Sequence, residues 1–407
     1  MKQEKTKNTK TWRRPRHRFF RALAAIVLAP YCRWRYGLRW TRFKEQGKRA
    51  YFILMNHQTA FDQFFSGLVF RGATYYVASE DLFSNGFVSS LLRYTVAPIP
   101  IRKSSSDYKA VVNCLRVAKE GGTIAIAPEG NRTYSGRTGD IKPTIAPLAR
   151  KLHLPIVIFR IEGGYGVHPR WSDVKRKGKM FAYVKRVIEP EEIDAMNDDG
   201  LYRTICDELY VDEAVADRTF FHKKSAEYLE RAMFVCPDCG LSEWESHGDV
   251  IACKKCGRQV RYLPTKELEG IDKPFPFRFI ADWYDYQENF VRALDVSPYL
   301  ETPMYEEKAT FSEVIVYRRK QVLAKDATLR LFGDRYEIEY DGENHVFPFT
   351  GVRSATVLGR NKMNFVFDAK LYQVRSGKRF NALKYVNMFY HFTAQNGGDP
   401  NDKFLGL

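Results

Sequence analysis

Tyr51-Phe52-Ile53-Leu54-Met55-Asn56-His57-Gln58 is the stretch on which the reading of this 407-residue chain turns. Five apolar residues in a row have the pattern of a strand buried on both faces, and they stop abruptly at three polar ones. Four residues separate His57 from Asp62, and apolar residues then recur at helical spacing in Phe61, Phe64, Phe65 and Leu68. A strand ending in a polar turn before a helix is where α/β enzymes place reacting groups. An imidazole titrates near neutral pH, and a carboxylate on its other nitrogen fixes the tautomer and stabilises the imidazolium. His57 and Asp62 are therefore a candidate general base and its orienting acid, a pairing that this spacing alone does not decide.

Three further apolar runs end the same way. Val96 to Ile101 leads to Arg102, and Gly122 to Ala127 leads to Pro128-Glu129-Gly130-Asn131-Arg132-Thr133. His153 to Phe159 leads to Arg160 and then Gly163-Gly164, while Ser106 to Glu120 has helical spacing. Strands alternating with helices predict a mixed sheet flanked by helices, with polar strand ends converging on one cleft. Arg102 and Arg132 have the chemistry to hold a phosphate by forked, charge-assisted hydrogen bonds, although either alone equally fits a surface ion pair. Glu129 has the chemistry to orient an arginine or an acceptor hydroxyl, and Gly130 lets backbone approach a ligand closely.

Charge is distributed unevenly. The chain carries 65 Lys and Arg against 48 Asp and Glu. Residues 1–49 hold sixteen of the basic residues and two Glu, so the remaining body is nearly neutral. This argues against a nucleic-acid binder with a basic groove throughout. No apolar run approaches the ~20 residues of a spanning helix. In the first segment Trp12, Trp34 and Trp40 are interleaved with Arg13, Arg14, Arg16, Arg33, Arg35 and Arg39 around the apolar run Phe19 to Tyr31. Basic residues on both sides and no small-residue cleavage site exclude a signal peptide. The pattern fits a helix lying in the interface of an anionic membrane, or a solvated basic tail followed by an ordinary core helix.

Seven cysteines in a chain this long do not form a secreted disulfide framework. Cys236-Pro-Asp-Cys239-Gly and Cys253-Lys-Lys-Cys256-Gly are two knuckles whose four thiolates match a closed, structural, tetrahedral Zn²⁺ site. Ile280 to Leu294 has helical spacing. From about Ala309 short alternating strands follow, with Asp-Gly hairpin signals at 341–342, and a closing helix carries Phe380, Leu383, Val386 and Phe389. About seven strands and one helix resemble a pleckstrin-homology domain in architecture, without a specific motif.

The blocks around 56–62, 99–102, 127–133 and 154–158 resemble, in order and spacing, those of the lysophospholipid/glycerol-phosphate acyltransferase family, of which 1-acylglycerol-3-phosphate O-acyltransferase is the best-known member. Asn56, His57 and Asp62 match its first block and Arg102 its second. Glu129, Gly130, Asn131 and Arg132 lie in its third, and Leu154-Pro155-Ile156-Val157-Ile158 matches its fourth. Ala127, Asn131 and Ile158 depart from the usual Phe, Thr and Pro.

The resemblance, which covers residues 12–233, implies that His57 takes the proton of an acceptor hydroxyl that attacks an acyl thioester directly, with Asp62 holding the ring. It implies that Asn56, Arg102, Glu129, Gly130, Asn131 and Arg132 contact a lysophospholipid acceptor, with acyl-CoA or acyl-carrier protein as donor. The expected division is a basic membrane-docking segment (1–49), an α/β acyltransferase unit (50–233), a zinc ribbon (234–262), a helical linker (263–305), a pleckstrin-homology-like, mainly β barrel (306–395) and a tail (396–407). Expected placement is peripheral or monotopic, on the cytoplasmic face of the cell membrane. Three rival readings stand beside it: a catalytically idle lipid-binding or tethering protein, a zinc-dependent nucleic-acid or regulatory module, against which the near-neutral body argues, and the same chemistry on a different lipid acceptor.

Overall fold

A computed structural model describes residues 11–79, 82–83, 86–101, 108–315 and 320–398. Its first layer is a seven-stranded sheet of β1 (Leu38–Trp40), β2 (Phe52–Met55), β3 (Thr74–Ser79), β4 (Ile99–Ile101), β5 (Thr123–Ile126), β6 (Ile156–Glu162) and β7 (Met180–Ile188), in the order β1-β7-β6-β2-β5-β3-β4. The pairs run parallel except β6 with β7, so the sheet is mixed. The helices of this unit are α1 (Pro15–Tyr36), α2 (Asp62–Val69), α3 (Phe87–Thr95), α4 (Tyr108–Lys119), α5 (Ile145–Leu152), α6 (Gly164–Val167), α7 (Pro190–Ala195) and α8 (Asp198–Leu209).

The continuous apolar run at β2 follows from its position at the centre. Phe52 and Leu54 pack on one face with Val117 of α4, Ala149 of α5 and Ile205 of α8. Ile53 and Met55 pack on the other with Tyr36 of α1 and Phe65 of α2. A central strand covered on both sides has no solvent face to mark with polar residues. Its neighbours β5 and β6 end beside it, so residues after all three strands meet at one edge. The four strands read from the sequence are present and β1, β3 and β7 join them; β3 inserts between β5 and β4, which leaves β4 at the sheet's margin.

The chain then forms a small pair, β8 (Val235–Cys236) with β9 (Gly240–Leu241), and a four-stranded antiparallel sheet, β10 (Trp244–His247), β11 (Val250–Cys253), β12 (Gln259–Tyr262) and β13 (Leu268–Gly270). Helix α9 (Ile280–Arg292) follows, with Trp283 and Gln287 fully buried. The last unit is a curled antiparallel sheet of β14 (Tyr305–Val314), β15 (Lys320–Leu331), β16 (Arg335–Tyr340), β17 (Glu343–Pro348), β18 (Val352–Leu358), β19 (Lys362–Phe367) and β20 (Lys370–Ser376). Its order, β17-β16-β15-β14-β20-β19-β18, makes a half-barrel with α10 (Ala382–Gln395) against it. One hydrophobic core runs from Tyr165 and Trp171 of the first unit through Cys236, Cys253 and Trp283 to Leu329 and Phe389. The cysteine knuckles are thus built into the body of the protein.

Candidate active site

His57 is the second residue after β2. Its Nδ1 lies 2.8 Å from Asp62 Oδ2. Asp62 is completely buried at the start of α2, and its carboxylate accepts from the backbone N–H of Gln58 at 2.7 Å and of Thr59 at 3.0 Å, and from the Thr59 hydroxyl at 2.7 Å. That many donors fix the carboxylate in place to accept a hydrogen bond from Nδ1–H of His57, which leaves Nε2 as the nitrogen without that partner. The spacing that drew attention to the pair is thus a closed turn, in which Asp62 caps residues 58–59 and holds the ring together.

The loop after β5 straps onto this turn. Glu129 accepts the His57 N–H at 2.7 Å and the Gly139 N–H at 2.7 Å, and Thr133 N–H donates to the His57 carbonyl at 3.1 Å. Burial pushes the Glu129 carboxyl up to about 8, with those two amide bonds pulling the other way. Gly130 has φ of +70°, the left-handed region that favours glycine, at the bend that brings Asn131 and Arg132 to the cavity.

Two of the expected ligand contacts have protein partners here. Asn56 is fully buried, and its side-chain amide both donates to and accepts from the Ile161 backbone at 2.8 Å, clamping the ends of β2 and β6. Glu129 has both oxygens on backbone amides. Each is hydrogen-bonded to backbone beside His57. Arg102 lies outside the described residues.

His57, Asp62, Gly130, Asn131 and Arg132 line one cavity of about 430 Å³. Much of its lining is apolar: Ala24, Ala25 and Leu28 of α1, Leu68 of α2, Val77 of β3, Leu82, and Leu92 of α3. Arg21 fixes α1 over it by donating to the Gly67 carbonyl at 2.7 Å and to that of Phe70. At the polar mouth, Arg132 is mostly buried and Nη1 has no partner, as is also true of Asn131 Nδ2. Burial, then the charges of Arg170 and Arg360, hold the Arg132 guanidinium down at about 10. Arg170 and Arg360 were not found from the sequence. Neither lies at a strand end, and Arg360 comes from the β18–β19 hairpin, 192 positions from its partner His168.

The four knuckle cysteines form a separate centre. Their sulfurs all lie within 4.8 Å of one another, with Cys236 Sγ 3.7 Å from Cys256 Sγ and Cys239 Sγ 3.6 Å from Cys253 Sγ. A tetrahedron with ~2.3 Å metal–sulfur bonds has sulfurs roughly 3.8 Å apart, so the set fits one closed metal site. No disulfide joins any of the seven cysteines.

Outside this site the helices carry an apolar surface. Phe19, Ile26 and Trp34 of α1 and Phe87, Leu91 and Tyr94 of α3 are exposed, Phe87 at 80%, Trp34 at 78% and Ile26 at 72%. Among the described residues no helix is long and apolar enough to cross a membrane.

Residues 41–162 match the family model described as Acyltransferase, which is under a third of the chain. No curated protein matches. A solved structure, the 1-acyl-sn-glycerophosphate (LPA) acyltransferase PlsC from Thermotoga maritima, is similar at 18% identity, with a TM-score of 0.41, over 47% of this chain and 78% of that one.

Proposed function

We propose that the protein is a membrane-associated acyltransferase that moves an acyl group from acyl-CoA or acyl-carrier protein to the hydroxyl of a phosphate-bearing lipid such as 1-acylglycerol-3-phosphate. The observation that carries the reading is the His57–Asp62 pair at the mouth of an apolar cavity whose rim holds Arg132. The acyltransferase match over residues 41–162 supports it.

In this reading the lipid phosphate sits at Arg132, and the acyl chain lies in the apolar cavity under α1. Nε2 of His57 takes the hydroxyl proton as the oxygen attacks the thioester carbonyl. Asp62 balances the imidazolium. Collapse of the tetrahedral adduct breaks the C–S bond, and the proton on Nε2 goes to the leaving thiolate. No side-chain nucleophile is used. Proton transfer of this kind contributes ~10²–10⁴-fold, and positioning and charge stabilisation supply the rest.

The exposed apolar faces of α1 and α3, flanked by the arginines of α1, hold the cavity mouth against an anionic leaflet. In this reading the enzyme works on the cytoplasmic face of the cell membrane, where lipid acceptor and soluble thioester are both within reach. The four cysteines hold a structural Zn²⁺, and the C-terminal sheet with α10 is a pleckstrin-homology-like unit.

Release of free thiol from acyl-CoA in the presence of 1-acylglycerol-3-phosphate tests the reading, with His57→Ala as the inactive control. A panel of lipid acceptors under the same assay identifies the acceptor if that one is not used. No thiol release with any of them, alongside intact vesicle binding, makes the protein an idle lipid tether.

A further inference from the structure

The turn that carries His57 is also held from a distant part of the chain. Gln58, buried next to His57, uses both ends of its side-chain amide: Oε1 accepts the Tyr165 N–H at 3.1 Å, and Nε2 donates to Glu213 Oε1 at 3.3 Å. Gly164 has no room for a side chain here, because a Cβ would lie 2.7 Å from Gln58 Oε1. Glu213 follows α8 and is itself buried. The same Oε1 accepts the Gly163 N–H, and the Glu213 N–H donates to the Gly136 carbonyl at 3.0 Å.

The other carboxylate oxygen faces Lys266. That ammonium is almost completely buried, 3.2 Å from Glu213 Oε2 and 3.6 Å from Asp217 Oδ1. Lys266 sits in the turn between β12 and β13, in the sheet that grows out of the cysteine knuckles; β12 starts at Gln259, just after Cys256. The turn docks on the first unit through Pro264, whose carbonyl accepts the Phe220 N–H at 2.8 Å. Lys266 has φ of +73°. Glycine or asparagine takes that left-handed conformation more easily, so the turn itself does not call for lysine. A buried ion pair is also a poor source of stability, since apolar residues of similar volume often do as well. What this pair supplies is a fixed, charged acceptor for Gln58 and Gly163.

We propose that the sheet following the cysteine knuckles is a positioning element of the active site: Lys266 fixes Glu213, Glu213 fixes Gln58, and Gln58 holds the turn that aims His57 at the acceptor hydroxyl. None of the three lines the cavity, so they are positioning residues that act through the backbone of 57–59. This deepens the acyl-transfer reading and rests on it for the role of His57. Glu129 and Asp62 hold the same turn from within the first unit. The Lys266 arm makes it depend on a later unit as well. Displacing a reacting group by about 1 Å costs roughly 10²-fold in rate, so a small loosening of this arm is enough to be felt.

Two full-length variants separate this role from that of a merely structural ion pair. Lys266→Met leaves Glu213 unpaired, whereas Glu213→Leu with Lys266→Met replaces both charges by apolar volume. Thiol release from acyl-CoA with 1-acylglycerol-3-phosphate gives kcat and the acceptor KM. Hydrogen exchange read by mass spectrometry gives the protection of the His57, Gln58 and Thr59 amides without reference to turnover. In both variants kcat is expected to fall about 10- to 100-fold with KM within about threefold of wild type. Those three amides should exchange at least ~10-fold faster, while β2 and β5 exchange as in wild type. A folded double variant that keeps kcat within about threefold of wild type overturns the proposal, as does wild-type exchange at 57–59. Protection lost equally from β2 and β5 also overturns it, because the pair would then be a general stabiliser. Should the double variant not fold, Lys266→Met is read by the same measures. If wild type releases no thiol, the acyl-transfer reading fails, and exchange at 57–59 alone decides whether Lys266 holds the turn.

Discussion

Replacing Asp62 by Asn and, separately, by Ala distinguishes a catalytic acid from a mere turn cap. In the folded protein Oδ2 faces three donors, His57 Nδ1 and the N–H groups of Gln58 and Thr59, while Oδ1 faces the Thr59 N–H and hydroxyl. Asparagine can put its carbonyl where Oδ2 was and keep all three. Its NH₂ then meets the Thr59 hydroxyl, which rotates to accept. The turn survives with neutral hydrogen bonds in place of charge-assisted ones, a loss of about 1–2 kcal/mol. Alanine instead leaves the buried N–H groups of Gln58 and Thr59 without acceptors, at roughly 1–3 kcal/mol each, or about 2–6 kcal/mol together.

Turnover should respond differently. Either substitution removes the charge that stabilises the His57 imidazolium, so thiol release should fall by about 10²–10⁴-fold in both. Once Asp62 is gone, a further His57→Ala should add far less than it does to wild type, because the two groups act as one unit. Denaturant unfolding and initial-rate thiol assays on the same preparations supply both quantities. The reasoning fails if Asp62→Asn keeps activity within about threefold of wild type while remaining folded. It also fails if Asp62→Ala is as stable as wild type.

Glu129 gives a pH signature. Its carboxyl is raised from 4.5 to about 8 in the fold, so the folded state favours the protonated form. That contribution is fully present below about pH 4.5 and is lost as pH rises through 8. The melting temperature of wild type should therefore drop relative to Glu129→Gln between about pH 5 and pH 9; parallel curves would show that the carboxyl does not titrate there. At the cysteine centre, one zinc per chain is expected, and chelation should perturb fluorescence from Trp244 and Trp283, whose rings are 4.7 Å apart in the core shared with Cys236 and Cys253. Unchanged fluorescence after the metal is shown to be removed would separate the ribbon from the core. On the outer surface, Ile26→Glu with Phe87→Glu should lower sedimentation with anionic vesicles at least ~10-fold, since each apolar side chain gains roughly 1.5–3 kcal/mol on burial. Unaltered sedimentation of that double variant would move the docking face elsewhere.

What the chain reveals by itself is what is local in it. The strand at 52–55, the turn that follows and the helix from Asp62 lie within twenty residues, so period and polarity make His57 and Asp62 candidates, and the fold then pairs them. The two knuckles are equally local, because ligand spacing within each is fixed by a tight turn. Only tertiary structure decided what depends on distant partners. Asn56 reads as a ligand contact, yet it clamps Ile161, 105 positions away. Strands β1, β3 and β7 were missed; β3, whose Ala78 and Ser79 line the cavity, sets β4 at the margin. Arg170 and Arg360 carry no motif, since a guanidinium in a loop is most often a solvated charge. Folding brings a hairpin from the last unit beside the loop after β5, where Arg170 ties the two together. Spacing along a chain records covalent neighbours; burial and electrostatic strength depend on who arrives from elsewhere.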